Sequence, residues 1–312
     1  MKALLQFSAS DRLRDRFSTV KGLDIAIVNE TDEESFAREI SDTEVFLHVL
    51  KPVTAAMIAM APKLKLIQKI GVGVNTIDLD AARKAGVTVA NMPGTNTAAV
   101  AEHTLALMLA TLRRIAEFDN ATRGGKGWQL LPNQMEALGE INGSTVGLIG
   151  YGAVAERLAF QLSALDAKVQ YWSRTKRPDA IATSVSFEQL LQSSDILSLH
   201  IPSTPETRHL LNRAAIKKMK PGAILINTAR GDLIDEIALT DALLSGRLAG
   251  AGLDVFEQEP LKAGNVLASC PNVVMTPHIA WLTPQTIDRS LEIIEENCRR
   301  VAHNQPVLHK VP

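Results

Sequence analysis

Three ionisable residues of this chain stand just past apolar, strand-like runs. Arg230 follows residues 223–227, Glu259 follows 249–253 and His278 follows 273–275. In open parallel α/β sheets, ligands collect outside the carboxyl ends of the strands. Polar side chains in those positions therefore matter most. An arginine can hold a carboxylate through its planar fork. A histidine can exchange a proton with a carbonyl or hydroxyl oxygen, and a carboxylate beside it favours its protonated form. Each residue alone also has a plain alternative: a surface arginine before a glycine, a solvated glutamate before a proline, a packed histidine after a proline. Their shared strand-end placement points to acid–base chemistry on an anionic substrate.

A second constellation lies upstream. The run Thr145-Val146-Gly147-Leu148-Ile149 leads into Gly150-Tyr151-Gly152, and a helix-compatible segment begins at Ala153. A strand, a tight glycine turn and a helix start form a cradle for a pyrophosphate. Gly150 permits the turn, Gly152 lets the backbone approach the phosphates, and Ala155 keeps the helix close to the strand. The first-turn residues Ala153 and Val154 bring free N–H groups and the positive end of the helix dipole. A site specific for NAD carries an acidic residue at the end of the next strand, where it binds the ribose 2′-hydroxyl. Here that strand ends in Ser173-Arg174-Thr175-Lys176-Arg177. Hydroxyl groups and cations suit a 2′-phosphate, so NADP(H) is the preferred cofactor and NAD(H) the possible second.

These residues need elements to position them. Strand-like runs at 3–7, 24–28, 45–49, 65–69 and 87–90 alternate with helix-like stretches at 11–17, 33–40, 54–60 and 78–84. That alternation implies a parallel sheet covered by helices. Residues 96–114 form a long, mostly apolar segment, expected as a helix between domains. Residues 123–140, with Gly124, Gly125, Gly127, Pro132 and Gly139, are expected as a loop or extended arm. A second series of strands follows at 145–149, 168–172, 196–200, 223–227, 249–253 and 273–275. Residues 284–304 are amphipathic and helical.

Composition bounds the rest. A chain of 312 residues has room for about two domains. With 46% hydrophobic and 21% charged residues and a net charge of −1, it has no basic field for nucleic acid. Cys270 and Cys298 lack metal-ligand spacing, and no metal is expected. They suit reduced thiols in a cytoplasmic protein, with a single disulfide as the alternative. The first seven residues are too short an apolar run for a signal peptide and suit a first strand. Residues 97–112 contain Glu102 and His103 and are short for a bilayer span, so no membrane is expected.

These segments carry a family resemblance. G-V-G-V-N at 71–75, N-T-A-A-V-A-E-H-T at 96–104, G-x-G at 150–152, N-T-A-R-G at 227–231, D-V-F-x-x-E-P at 254–260 and T-P-H-I-A at 276–280 resemble the D-isomer-specific 2-hydroxyacid dehydrogenases. The likeness spans nearly the whole chain. It implies an α/β fold of two doubly wound parallel-sheet domains. A Rossmann-type cofactor domain, 97–284, is inserted into a flavodoxin-like substrate domain, 1–96 plus 285–312, with the active site in the cleft. Arg230 would be the substrate arginine, His278 the general acid/base and Glu259 its partner. Val72, Gly73 and Val74 would offer backbone N–H groups to the substrate carboxylate. The cofactor contacts expected on this footing are Thr104, Gly150, Gly152, Ala153, Val154, Ser173, Arg174, Thr175, His200, Pro202, Thr207, Thr228, Ala229 and Asp254, the last at the nicotinamide end. Trp281 suits a pocket wall, a dimer contact or a core aromatic equally.

The resemblance implies reduction of a small 2-keto acid, glyoxylate or hydroxypyruvate, to the D-2-hydroxy acid, in a homodimer. One alternative is an NAD-using dehydrogenase of phosphoglycerate type or of a bulkier substrate. A chain ending at Pro312 leaves no room for the regulatory domain of longer phosphoglycerate dehydrogenases. Another alternative is a non-enzymatic, dinucleotide-sensing binding protein of the same fold.

Overall fold

The computed structural model describes residues 1–129, 132–270 and 272–312. The chain divides into two compact units, one of Met1–Asn96 with Leu282–Pro312 and one of Thr97–Trp281. The sequence places the return to the first unit at residue 285, whereas the chain returns at Leu282. The helix Pro284–Ala302 lies at that return, and its N-cap Thr283 accepts a bond from the Thr286 N–H.

The first unit holds strands β1 (Lys2–Gln6), β2 (Asp24–Val28), β3 (Val45–His48), β4 (Leu66–Lys69) and β5 (Thr88–Ala90). Their order is β2-β1-β3-β4-β5, and every pairing is parallel. The period-2 alternation of strands puts Leu4, Phe46, Ile67 and Val89 on one face. There they pack with Phe36, Ile40, Ile58 and Ala82 from three helices. Full burial of such a side chain contributes on the order of 2 kcal/mol. The helices start where the sequence supplies caps: Ser10, Asp32, Thr54 and Asp78 each accept a first-turn N–H.

The second unit holds β6 (Thr145–Ile149), β7 (Lys168–Trp172), β8 (Thr183–Ser184), β9 (Ile196–Leu199), β10 (Ala223–Asn227), β11 (Leu248–Leu253) and β12 (Val273–Met275). Their order is β12-β11-β10-β9-β6-β7-β8, again parallel throughout. The order reverses at β6, and ligands of doubly wound sheets gather at that reversal. One face packs Leu197, Leu199, Leu225 and Leu253 under the helices Phe187–Ser193, Arg213–Lys218 and Glu236–Leu244. The other packs Val146, Leu148, Ile224 and Ile226 under Thr97–Leu112 and Ala153–Ser163.

Two features differ from expectation. The two-residue strand β8 has no counterpart in the sequence pattern, being too short to alternate. The expected loop at 123–140 contains the helix Pro132–Glu136. Proline suits a helix's first turn, where its missing N–H breaks no bond. Leu130 and Leu131 of that loop lie outside the described residues. No helix among the described residues is long and apolar enough to cross a membrane.

Candidate active site

Three adjacent strands, β10, β11 and β12, deliver the three ionisable residues. Arg230 extends from the end of β10 on a loop that Asn227 organises. The Asn227 side chain donates to the Arg230 carbonyl at 2.7 Å and accepts the Ala229 N–H at 3.0 Å. Gly231 follows, and a Cβ built there would lie 1.9 Å from the Phe256 carbonyl carbon. Only glycine lets this loop press against the backbone leading to Glu259. Burial disfavours the Arg230 charge and lowers its pKa, while Glu259 and Asp232 oppose that shift.

Glu259 Oε2 lies 2.6 Å from His278 Nδ1, and its Oε1 accepts the Phe256 N–H at 3.0 Å. Burial pushes the Glu259 carboxyl up. The His278 bond and charge, the Phe256 N–H and Arg230 outweigh it, leaving the pKa below the ordinary carboxylate value. An ionised carboxylate only accepts, so His278 Nδ1 carries a proton and Nε2 is the atom left for exchange. His278 has φ +55°, unusual for a non-glycine residue. Its N–H donates to the carbonyls of Asp254, at 2.8 Å, and Thr276, at 3.1 Å.

The turn after β6 fits a dinucleotide. Gly150 has φ +95°, and a Cβ there would meet the His200 carbonyl oxygen at 2.5 Å. Gly152 is the N-cap of Ala153–Ser163 and makes no side-chain cap bond, and nothing lies within 4 Å of the Cβ it lacks. Uncapped N–H groups beside open space form a seat for a phosphate.

The comparisons with known proteins agree with this geometry. Residues 105–280 match the family described as D-isomer specific 2-hydroxyacid dehydrogenase, NAD binding domain. The glyoxylate reductase of Thermofilum pendens is 41% identical over 271 residues, covering 85% of this chain and 80% of that protein. The D-3-phosphoglycerate dehydrogenase of Archaeoglobus fulgidus is 36% identical over 317 residues, spanning 100% of this chain but 59% of its own length. A solved structure of an acyclic imino acid reductase in complex with NADPH and D-Arg has a TM-score of 0.85 at 29% identity, covering 100% of both chains. The chain belongs to the D-isomer-specific 2-hydroxyacid dehydrogenase family. It is an oxidoreductase whose second unit is a Rossmann-type domain for a nicotinamide dinucleotide.

Within the dehydrogenase, several residues expected at the cofactor have other partners. Asp254 is 0% exposed. Its carboxylate accepts the Thr276 hydroxyl at 2.6 Å and the N–H groups of Ile279 and Ala280, both at 2.9 Å. It organises the loop that carries His278. Thr104 is likewise 0% exposed, and its hydroxyl bonds the Val100 carbonyl and the Thr228 hydroxyl at 2.8 Å. The Thr207 hydroxyl donates to the Pro202 carbonyl and accepts the Thr204 N–H, both at 2.8 Å, and so shapes the loop after β9. His200 lies 2.9 Å from the Ser198 hydroxyl, and burial lowers its pKa to about 4, so it is neutral at physiological pH. Trp281 is buried.

The turn after β7 is exposed from Arg174 to Arg177. Tyr171 fixes it, because its hydroxyl accepts the Arg177 N–H at 2.9 Å. The Ser173 hydroxyl donates to the Thr175 carbonyl at 2.5 Å. Glu206, on the loop after β9, feels the Arg174 charge. Its carboxyl lies below its usual value, first through Thr204, next through its own backbone N–H, and then through Arg174.

The roles of Asn227 and of Thr276, which joins His103 Nε2 at 2.9 Å to Asp254, went unassigned in the sequence. For Asn227 a signal exists, since an asparagine at a strand end commonly bonds the backbone two residues on. Among the described residues, no group of three or more His, Cys, Asp or Glu side chains could hold a metal ion.

Proposed function

We propose that this dehydrogenase reduces small 2-keto acids, with glyoxylate or hydroxypyruvate as substrate and NADP(H) as preferred cofactor. The His278–Glu259 pair at 2.6 Å, with the half-buried Arg230 charge acting on Glu259, carries the chemical part of the proposal. When bound, the dinucleotide supplies the hydride that reduces the substrate's carbonyl carbon. Protonated His278 gives its Nε2 proton to the carbonyl oxygen, and Glu259 holds the ring in place and stabilises its charge. Arg230 grips the carboxylate and so fixes the carbonyl's orientation. In the first unit, the backbone of Val72, Gly73 and Val74 is a second carboxylate-binding element. In the second, Gly150, Gly152, Ala153 and Val154 hold the pyrophosphate.

The preference for NADP(H) rests on the turn after β7, which presents Ser173, Arg174 and Thr175 and no carboxylate of its own. The relative named glyoxylate reductase supports the substrate, and the reductase solved with NADPH supports the cofactor. A homodimer is part of the same proposal. Both cysteines are free, which supports a cytoplasmic location.

The test is a panel of 2-keto acids assayed with NADPH and with NADH, followed by the loss of reduced-nicotinamide absorbance. Arg174→Ala should weaken NADPH use by roughly 1–3 kcal/mol, the scale of a lost charge-assisted hydrogen bond, and leave NADH use nearly unchanged. Equal catalytic efficiency of the wild type with both cofactors would refute the preference.

A further inference from the structure

The loop after β4 and the segment after β5 leave the same edge of the first sheet side by side, because the two strands are adjacent and parallel. Two bonds join them. The Met92 N–H donates to the Gly71 carbonyl at 2.8 Å, and the Asn91 side-chain amide donates to the Val72 carbonyl at 2.9 Å. A trans peptide directs its C=O and N–H in opposite directions. With both carbonyls turned toward residues 91 and 92, the N–H groups of Val72 and Gly73 are turned away from them. Neither N–H meets an acceptor among the described residues. Val72 is 46% exposed, so this pair of donors is open to a ligand. Gly71 makes the geometry possible with φ +130°, a conformation for which glycine is suited.

Asn91 is itself held. Its backbone N–H donates to the His309 carbonyl at 3.1 Å, and the Val311 N–H donates to the Val89 carbonyl at 2.8 Å. Lys310 bridges Ala90 in antiparallel sense. The last residues of the chain thus line the edge of β5 and fix the backbone from which the Asn91 side chain reaches.

We propose that Asn91 is a positioning residue for the substrate carboxylate: its amide pins the Val72–Gly73 peptide with the N–H facing the ligand. This rests on the assignment of the loop as a carboxylate-binding element. Without the amide donor, no other hydrogen bond among the described residues holds the Val72 carbonyl back. A peptide that turns over presents a carbonyl oxygen to the anion in place of an N–H, so attraction becomes repulsion. An ionised aspartate at this position makes matters worse, since it repels the Val72 carbonyl. Protonated, it regains an O–H that can donate.

The experiment measures KM for glyoxylate and Kd for oxamate, an unreactive carboxylate analogue, in the presence of cofactor. Wild type, Asn91→Ala and Asn91→Asp are compared from about pH 8 to about pH 5. Asn91→Ala should raise both constants about tenfold, the equivalent of one hydrogen bond, with cofactor Kd and thermal midpoint unchanged. Asn91→Asp should be worse than alanine at high pH and draw level with it or better as the pH falls. A merely structural asparagine would not produce that crossover. Unchanged constants in Asn91→Ala, or an Asp-to-Ala ratio independent of pH, overturn the proposal. If the wild type binds oxamate but reduces no keto acid, the catalytic assignment fails and the Kd series alone decides Asn91. If it binds neither, both fall.

Discussion

Replacing Asp254 by asparagine separates two roles for this carboxylate. Its Oδ1 accepts both the Thr276 hydroxyl and the Ile279 N–H, and its Oδ2 accepts the Ala280 N–H. Asparagine keeps the shape but has one oxygen and one NH2 group. Whichever way it turns, one of the two backbone N–H groups faces another donor. One bond to a charged acceptor is lost, about 1.5–3 kcal/mol, and a buried donor is left unsatisfied, about 1–3 kcal/mol. The combined cost is roughly 2.5–6 kcal/mol. In a unit of this size each kcal/mol moves the thermal midpoint by about 2–4 °C, so a drop of roughly 5–24 °C is expected. The same bonds hold the backbone on either side of His278, whose φ is +55°. A displacement of the acid by about 1 Å costs on the order of a hundredfold in kcat. Cofactor affinity should stay unchanged, because Asp254 is 0% exposed. Circular dichroism gives the midpoint, steady-state assays give kcat, and cofactor titration gives Kd. A variant with wild-type midpoint and kcat would refute the organising role. A raised cofactor Kd with intact chemistry would return Asp254 to the nicotinamide.

Two more outcomes follow from the titratable groups. His278→Gln should lower kcat at least about a hundredfold, the low end for a general acid, with cofactor Kd unchanged; near wild-type kcat would remove His278 from the chemistry. His48, 1% exposed in the first unit, is held neutral: burial first and the Lys69 charge second push its pKa down to about 3, against the Lys51 carbonyl. In the unfolded chain it titrates near 6.5, so between about pH 6.5 and about pH 3 only the unfolded state takes the proton, and stability falls with pH by up to about 1.4 kcal/mol per unit. His48→Gln should remove one proton's worth of that slope in urea midpoints measured across the window; identical slopes would show that His48 is not held neutral.

The fold was legible because its strands are short apolar runs separated by capping and turn residues. Those at 24–28, 145–149, 168–172, 223–227 and 273–275 have the bounds their sequences suggest. Arg230, Glu259 and His278 were legible for a related reason, since the ends of parallel strands are where polar side chains meet a ligand. Glu259 and His278 come together at 2.6 Å because β11 and β12 are adjacent. β8 escaped notice because two residues carry no period. The helix Pro132–Glu136 was hidden by the glycines around it.

Asp254 and Asn91 show a different limit. A carboxylate one residue past a strand looks the same in sequence whether it faces a ligand or turns inward. What decides for Asp254 is the backbone N–H of Ile279 and Ala280, more than twenty residues on. For Asn91 it is the Val72 carbonyl across a parallel pair, on a backbone fixed by His309. Backbone donors and acceptors are common to nearly every residue, so partners of this kind leave no mark in residue type. Sequence therefore discloses candidate reacting groups, whose chemistry is in their side chains, more readily than the groups that hold them, whose partners are set by register. Under the proposed function, the holders decide whether those candidates work. His278 without the Asp254 loop is an imidazole on a free turn, and Arg230 without Asn227 is an arginine on one.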